Sequence, residues 1–205
     1  MLTLIHSPQS RSTAILALIE EMGIQDWIDI RVVTIPRIDG SGGRDPSNPH
    51  PEGKVPALIH DGQVITERGA IMLHLTSLFP DTGLAPKVGS PDWGVFAMWM
   101  AWYQGVLEPT FIMEAAGFSH PWMTAAVRDH KTAVARLRAA LEKGPWLMGA
   151  SFGAADILLH GPYVWFPDAM PDDDLIRDWV ERCKARPASQ KVREADAARM
   201  AKLAA

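Results

Sequence analysis

The sequence lacks the residues and motifs on which several kinds of function depend. Its 205 residues include one cysteine, Cys183, so an internal disulfide framework is excluded and a reducing, cytoplasmic setting is expected. The seven histidines show neither the H-x-x-x-H nor the H-E-x-x-H spacing, and we therefore expect no metal site. The sequence also has no P-loop, no G-x-G-x-x-G and no G-x-S-x-G motif. Nothing in it calls for a metal or a nucleotide.

Nucleic acids and membranes are not expected partners either. The formal net charge is -4 and no dense run of Lys and Arg occurs, so the basic footprint of a nucleic-acid-binding protein is missing. The apolar runs stop well short of the roughly 18 residues that a membrane span requires. The N-terminus has neither the basic region nor the long apolar run of a signal peptide. Hydrophobic residues make up 47% and charged residues 21%, which is typical of an ordinary folded protein.

Residues 1–79 predict an α/β fold in the order β-α-β-loop-β-β-α. Strand and helix periodicity, a helix-ending Gly23 and the hairpin turn Asp61-Gly62 define the boundaries. The predicted elements are a strand at 2–6, a helix ending at Met22, a strand at 27–33, a long loop at 36–51, a hairpin of strands 56–60 and 63–66, and a helix at 67–79.

A linker rich in proline and glycine, at 80–90, precedes a region that is helical throughout. We predict one long helix at 92–116 with a kink at Pro109, and a second at 121–143. Further on, Gly153 is predicted to be the N-cap of a helix in which Asp156 reaches back to a free backbone N–H. The sequence therefore predicts an all-α domain, a helical bundle, over residues 91–205.

The stretch Glu52 to His60 leads through a proline directly into a short apolar strand. Pro56 is tolerable at the first residue of a strand, because that position need not donate to the ladder. When the bond before such a proline is cis, the turn is rigid. The N–H and C=O of Val55 would then be free to pair with something other than the protein's own sheet.

The order and spacing of these motifs resemble the cytosolic glutathione S-transferases of bacterial type. The resemblance covers nearly the whole chain: the strand and serine segment, G-K-V-P-A-L, the hairpin, the helix begun by Glu67, the linker and the Ala155-Asp156 pair. The family usually has Ser or Thr as the N-cap three residues before this Asp, where this chain has Gly153. It implies a thioredoxin-like glutathione-binding domain at 1–79, and an all-α domain at 91–205 that lines the electrophile pocket. It further implies glutathione as co-substrate, a small hydrophobic electrophile, a role in detoxification and a homodimer.

By the same resemblance, a hydroxyl at the start of the first helix activates the glutathione thiol. A thiol is a poor nucleophile at neutral pH until it is ionised, and a helix N-terminus with a hydroxyl can stabilise the thiolate. Ser7 and Ser10 stand where redox members of this fold carry the cysteines of C-P-x-C, so dithiol chemistry is lost. Ser7 matches a residue-before-proline pattern, whereas Ser10 and Arg11 match an S-R pattern. Ser12 is a weaker candidate, any of these serines could simply cap the helix, and Arg11 could instead face an acidic substrate.

The resemblance also assigns the residues around Pro56 to glutathione. Val55 would pair with the cysteine backbone of glutathione in the manner of an added strand. Lys54 and His50, in the preceding loop, could hold the glycine carboxylate. The alternative for both is a solvated loop residue.

The γ-glutamyl end of glutathione would be held at the start of the helix after the hairpin. The Glu67 carboxylate would meet the ammonium group, and backbone N–H groups would meet the α-carboxylate. The family usually has Ser at the next position, where this chain has Arg68. Arg68 could contact the ligand by a charge-assisted hydrogen bond or turn outward, and the outward orientation is favoured.

An aromatic stripe on the predicted helix at 92–116 includes Trp99, Trp102 and Tyr103. Such a stripe at helical spacing is more often core, but these three residues could line an apolar substrate pocket. Glutathione-dependent peroxide reduction or cis-trans isomerisation would need the same thiolate as transfer. The rival interpretation is a non-catalytic glutathione-binding or protein-interaction module that has kept the fold.

Overall fold

A four-stranded sheet in the order β2-β1-β3-β4 forms the centre of the N-terminal region in the computed structural model, which describes residues 1–203. Strand β1 runs parallel to β2 and antiparallel to β3, and β3 and β4 form a hairpin around Asp61-Gly62. The elements of this region are β1 (Leu2–His6), α1 (Thr13–Met22), β2 (Ile28–Val32), β3 (Ala57–His60), β4 (Gln63–Thr66) and α2 (Arg68–Leu78). The predicted thioredoxin-like order is confirmed.

Apolar side chains of the sheet and of both helices form the core of this region. Leu4 and Leu58 of the sheet, Ile15 and Leu18 of α1, and Ile71 of α2 have no exposed surface. Helix α1 ends at Gly23, whose φ of 66° lies in the left-handed region that favours glycine. Burial of this apolar surface supplies most of the free energy that holds the sheet and helices together.

The remaining helices begin after a short 3₁₀ turn at Pro80–Thr82. They are α3 (Pro91–Trp102), α4 (Glu108–Ala115), α5 (Pro121–Val127), α6 (His130–Leu141), α7 (Ala154–Leu159), α8 (Gly161–Trp165), α9 (Asp174–Lys184) and α10 (Pro187–Leu203). The predicted helical C-terminal region is confirmed. No helix within residues 1–203 is long and apolar enough to cross a membrane.

Helix α10 belongs to the same compact unit as residues 1–79, whereas residues 80–186 form a second unit. It packs on α1, with Val192 buried and Lys191 Nζ 2.7 Å from the Glu20 carboxylate. The sequence-based domain limits instead assign residues 187–205 to the helical domain, and residues 204 and 205 lie outside the described part. The chain thus returns to its first unit at its C-terminal end.

The predicted long helix at 92–116 is interrupted by a π-helical turn at Tyr103–Leu107. Pro109 follows this turn and cannot donate a backbone hydrogen bond, so regular α-helical pairing fails in the residues before it. The π turn takes up the irregularity within an otherwise continuous helical path. The irregular region therefore precedes Pro109.

The prediction of a single helix at 121–143 is wrong. Arg128 adopts a φ of 66°, which ends α5. Asp129 then starts α6 as its N-cap, since its carboxylate accepts a hydrogen bond of 2.7 Å from the N–H of Thr132. The Asp129 carboxylate thus binds a backbone N–H that would have bonded to a backbone carbonyl oxygen in a continuous helix.

The predicted cap of α7 is confirmed. Asp156 Oδ2 accepts from the N–H of Gly153 at 3.0 Å, while Oδ1 accepts from the N–H of Leu147 at 3.0 Å and from Trp179 Nε1 at 2.8 Å. Burial raises the pKa of Asp156 despite these three hydrogen bonds. A Cβ atom at Gly153 would lie 2.8 Å from the carbonyl oxygen of Leu84, which explains why glycine occupies the cap.

Candidate functional site

The register of the sheet brings three separate segments to one edge. In β3, Ala57 pairs with Ile5 on one side and with Thr66 on the other. The residues just beyond these pairs therefore lie at the same edge, because β1 and β4 both run antiparallel to β3. They are the serine segment after β1, Val55 and Pro56 before β3, and Glu67 after β4.

Val55 presents an unpaired stretch of backbone at this edge. The Val55-Pro56 peptide bond is cis, and the ladder between β1 and β3 stops at Ala57. The Val55 side chain is 7% exposed and packs with Ile5, Val33 and Ala57. Within residues 1–203 neither the N–H nor the C=O of Val55 makes a hydrogen bond. Since a backbone of this kind pairs readily with an extended peptide, the geometry suits a strand-like ligand.

The three serines after β1 are buried and hydrogen-bonded to one another. Ser10 Oγ lies 2.6 Å from the carbonyl oxygen of Ser7 and 2.7 Å from Ser12 Oγ. Ser12 Oγ accepts from the N–H of Ser7 at 3.1 Å, and Ser10 Oγ accepts from the N–H of Ser12 at 3.2 Å. The side chain of Ser12 makes no capping bond to α1. The serine cluster thus holds the turn before the helix.

A buried histidine and a buried aspartate extend this cluster. His6 Nδ1 lies 2.8 Å from Ser12 Oγ, and His6 Nε2 lies 3.0 Å from Oδ1 of Asp196 in α10. Asp196 Oδ2 also accepts from the N–H of Gln9 at 2.9 Å and from Thr13 Oγ1 at 2.6 Å. Burial acts to raise the pKa of Asp196, but the hydrogen bonds from His6, Thr13 and Gln9 outweigh it and hold that pKa below its usual value.

Arg37, in the long loop after β2, binds the other side of the same turn. Its Nη2 donates to the carbonyl oxygen of Pro8 at 2.7 Å and to Ser7 Oγ at 3.3 Å, and its Nη1 donates to the carbonyl oxygen of Gln9 at 3.3 Å. Arg11, which was predicted for this site, is exposed to solvent. The cation that contacts the Ser7 hydroxyl is therefore Arg37.

At the start of α2 the structure corrects one expectation. Glu67 is exposed and adopts a φ of 68°, which is uncommon for a residue other than glycine. The Arg68 side chain is 5% exposed, so the favoured outward orientation is wrong. The left-handed backbone at Glu67 turns the chain sharply between β4 and α2, and the residue that follows enters the interior.

The loop before Val55 contains one buried and one exposed candidate. His50 is 6% exposed, and its Nδ1 accepts from the N–H of Glu52 at 3.1 Å. Burial lowers the pKa of His50 more than the carboxylates of Glu52 and Glu67 raise it, so the imidazole is neutral at pH 7. Lys54 is exposed and paired with Glu52.

The aromatic candidates of the second unit are buried. Trp99, Trp102 and Tyr103 are 4%, 9% and 1% exposed. The two indole rings meet edge to face at 5.3 Å, and the guanidinium of Arg136 lies 5.2 Å and 4.7 Å from their centroids. This arrangement is typical of core aromatic residues with a cation at their outer edge. Their part in a substrate pocket stays a prediction.

One surface groove lies away from this edge of the sheet, and the described residues contain no candidate metal site. A surface groove between α1, β2 and α10, lined by Leu16, Ile28, Ile30 and Val192, contains none of the predicted site residues. Among residues 1–203 no group of three or more His, Cys, Asp or Glu could hold a metal ion.

Sequence reasoning missed His6, Arg37 and Asp196. A signal existed for two of them. A histidine inside an apolar strand needs a buried hydrogen-bond partner, and Asp196 lies four residues after the buried Val192, on the face of α10 that packs inward. Nothing in the glycine- and proline-rich loop distinguishes Arg37 from Arg44.

A comparison with protein families matches residues 4–83 to the family described as glutathione S-transferase, N-terminal domain. Curated relatives include protein LigF of Sphingobium sp., which is 24% identical over 71% of this chain and 75% of its own length. A glutathione S-transferase-like protein of Aspergillus fumigatus, tpcF, is also 24% identical, over 69% of this chain and 74% of its own length.

Solved structures resemble nearly the whole chain. A glutathione transferase from Methylococcus capsulatus is 28% identical with a TM-score of 0.78, covering 96% of this chain and 99% of its own. A sphingomonad glutathione S-transferase, solved in complex with glutathione, is 26% identical with a TM-score of 0.76, covering 95% and 98%.

Proposed function

Because residues 4–83 match the N-terminal domain family of the glutathione S-transferases, we propose that the chain is a member of that family and that it binds glutathione at the sheet edge formed by Ser7, Val55 and Glu67. There it activates the thiol for attack on a small hydrophobic electrophile. In the reaction the thiol proton leaves to solvent, and the sulfur forms a bond to an electrophilic carbon while the bond to the leaving group breaks. The observation that carries this proposal is that the hydrogen of the Ser7 hydroxyl has no acceptor within residues 1–203.

The hydrogen-bond acceptors available to the two hydroxyl groups favour Ser7 over Ser10 as the group that stabilises the thiolate. Both acceptors available to the Ser10 hydroxyl, the Ser7 carbonyl and Ser12 Oγ, lie inside the protein. Ser7 Oγ instead accepts from Arg37, and its own hydrogen has no acceptor within residues 1–203. A thiolate needs a donor, and a donor polarised by a guanidinium is a better one. Ser7 is 2% exposed, so its bond to sulfur would form away from bulk water, where such bonds are stronger.

The other proposed contacts with glutathione involve residues at or near the same edge of the sheet. The free N–H and C=O of Val55 would pair with the cysteine residue of glutathione. The Glu67 carboxylate would meet the γ-glutamyl ammonium, and the backbone N–H groups that begin α2 would meet the α-carboxylate. His50, which is neutral, would donate a hydrogen bond to the glycine carboxylate, and the exposed Lys54 would supply the charge.

The electrophile side of the proposal rests on composition. Trp99, Trp102 and Tyr103 would provide apolar surface for the substrate, so the leaving group is expected on an aryl or alkyl carbon. Peroxide reduction and cis-trans isomerisation would use the same thiolate. We further propose a homodimer in the cytoplasm with a role in detoxification. The single cysteine, which is buried, suits that compartment.

Calorimetric titration with reduced glutathione and with S-hexylglutathione tests the proposal. We expect saturable binding of both ligands, tighter for the hexyl derivative because its chain would enter the apolar pocket. A substrate screen with aryl halides would follow. Absence of binding at millimolar concentrations of either ligand would overturn the proposal.

A non-catalytic glutathione-binding or interaction module is the second candidate. It is favoured by one observation: a buried Arg68 stands where the family usually has the serine that contacts glutathione. Binding of both ligands without turnover of any electrophile, peroxide or isomerisable substrate would support this candidate.

A further inference from the structure

Side chains bind all the polar backbone groups of Ser7, Pro8 and Gln9. The Ser7 N–H donates to Ser12 Oγ, and the Ser7 carbonyl accepts from Ser10 Oγ. The Pro8 and Gln9 carbonyls accept from Arg37, and the Gln9 N–H donates to Asp196. Pro8 has no N–H. A backbone held on all its polar groups keeps the Ser7 side chain in one place.

Asp196 is the one member of this arrangement contributed by the last helix. Its carboxylate is 1% exposed and has donors on both oxygens: His6 Nε2 and Arg199 on Oδ1, at 3.0 Å and 3.4 Å, and the Gln9 N–H and Thr13 Oγ1 on Oδ2. A buried carboxylate with this many donors is firmly oriented. It connects α10 to both ends of the turn.

The carboxylate also decides which way the hydroxyl hydrogens point. Because Asp196 accepts at Nε2 of His6, a neutral imidazole carries its hydrogen there and Nδ1 becomes an acceptor. Ser12 then donates to Nδ1 at 2.8 Å, and its oxygen accepts from the Ser7 N–H at 3.1 Å. With the Ser10 hydrogen on the Ser7 carbonyl, the hydrogens of Ser10, Ser12 and His6 all have acceptors inside the protein, whereas the Ser7 hydroxyl hydrogen has none within residues 1–203.

We propose that Asp196 is a positioning residue for the Ser7 hydroxyl, acting through Gln9 and through His6 and Ser12, so that α10 completes the thiol-activating site. This inference rests on the proposed function, because the hydroxyl matters only where a thiol is bound. Asp196 itself does not touch glutathione.

The Asp196→Asn variant tests this role by removing the charge and keeping the size. An amide cannot accept on both sides, so either His6 or the Gln9 N–H loses its acceptor. We expect the apparent pKa of glutathione bound to the variant, measured by the ultraviolet absorbance of the thiolate against pH, to rise by about one unit. The Kd of glutathione should stay within about twofold and kcat should fall with little change in KM, because Val55 and Glu67 are untouched.

Glu194→Gln is the matched control, because Glu194 is an exposed acid on the same helix and carries the same charge. We expect the apparent pKa of glutathione bound to this variant to equal that of glutathione bound to the parent protein. An equal shift in both variants would mean that the charge of α10 acts from a distance, and would overturn the positioning role.

Ser12→Ala keeps the test decisive if Asp196→Asn does not fold. Ser12 has no exposed surface and cannot touch a ligand, so any effect on the bound thiol must pass through its hydrogen bonds to Ser7 and Ser10. We expect the same direction of shift as for Asp196→Asn. A folded variant of either kind with the parent's thiol pKa would overturn this inference alone. Absence of any thiolate in the parent protein would overturn the proposed function, and this inference with it.

Discussion

At the scale of single residues, the position of one hydrogen separates the two serines that the sequence left equivalent. Ser7 and Ser10 are both buried and both lie in the turn between β1 and α1. A carbonyl oxygen 2.6 Å away takes the Ser10 hydrogen, whereas the guanidinium beside Ser7 can only donate. Because a thiolate is an acceptor, the two hydroxyls are not interchangeable in chemistry even though they are in sequence pattern.

Ser7→Ala should therefore lower kcat/KM by about 100-fold, which is comparable to the loss of one donor at an oxyanion. Ser10→Ala should lower it by less than about tenfold, because the Ser10 hydrogen goes to an acceptor inside the protein and is not available to a thiolate. Steady-state kinetics at saturating glutathione would measure both, with Ser77→Ala on the exposed face of α2 as the control. A larger effect of Ser10→Ala than of Ser7→Ala would show that Ser10 is the donor to the thiolate and that the assignment of Ser7 is wrong.

The residues that sequence reasoning placed correctly are those whose role depends on the backbone. Val55 and Pro56 lie before β3 as expected, since a proline followed by an apolar run predicts a strand start. Side-chain orientation was harder to predict. Arg68 is buried because of the backbone turn at Glu67, and a left-handed φ at a glutamate has no signal in the sequence.

At the scale of helices and turns, the cap of α7 shows how a departure from a family pattern can be required locally. The family usually has Ser or Thr as the N-cap, and a hydroxyl there would ordinarily stabilise the helix. In this chain the N–H of Ala154 donates to the carbonyl oxygen of Leu84 at 2.8 Å. That bond brings the backbone of residue 84 so close that only glycine fits at 153.

Gly153→Ser should accordingly destabilise the protein by about 1–3 kcal/mol, although it restores the family residue. The serine Cβ would lie 2.8 Å from the Leu84 carbonyl oxygen, and a backbone atom cannot yield cheaply. Urea unfolding followed by circular dichroism would measure the change. Gly94→Ala, in open space within α3, is the control and should stabilise by up to about 1 kcal/mol. A stabilised Gly153→Ser variant would contradict the argument.

Helix boundaries were predicted well where one residue decides them and poorly where two signals compete. Gly23 and Gly153 mark ends that the structure confirms. Asp129, by contrast, follows an unbroken helical pattern, and its capping bond to Thr132 wins over continuation of the helix. The sequence contains both signals, but their relative free energies depend on packing that periodicity does not report.

At the scale of the whole molecule, the unexpected feature is the return of the last helix to the first unit. The contact between His6 and Asp196 spans 190 positions in the chain. Local patterns predict elements and the order of strands, but they carry no record of a pairing at such a distance. An alanine-rich helix with one buried acid could have been assigned to either unit on sequence alone.

Residues 1–83, the part that matches the family's N-terminal domain, should therefore not fold stably alone. Without α10, the apolar surface of α1 that packs on this helix is exposed to water and the hydrogen bonds of Asp196 to His6, Gln9 and Thr13 are lost, against a total stability of only about 5–15 kcal/mol. Joining 1–83 to 187–205 by a flexible linker of about 20 residues, which spans roughly 25 Å, should restore cooperative thermal unfolding. Asp196→Asn in the joined chain should lower its Tm, whereas Glu194→Gln should leave it unchanged. Cooperative unfolding of 1–83 alone, at the same Tm as the joined chain, would show that the first unit is complete without its last helix.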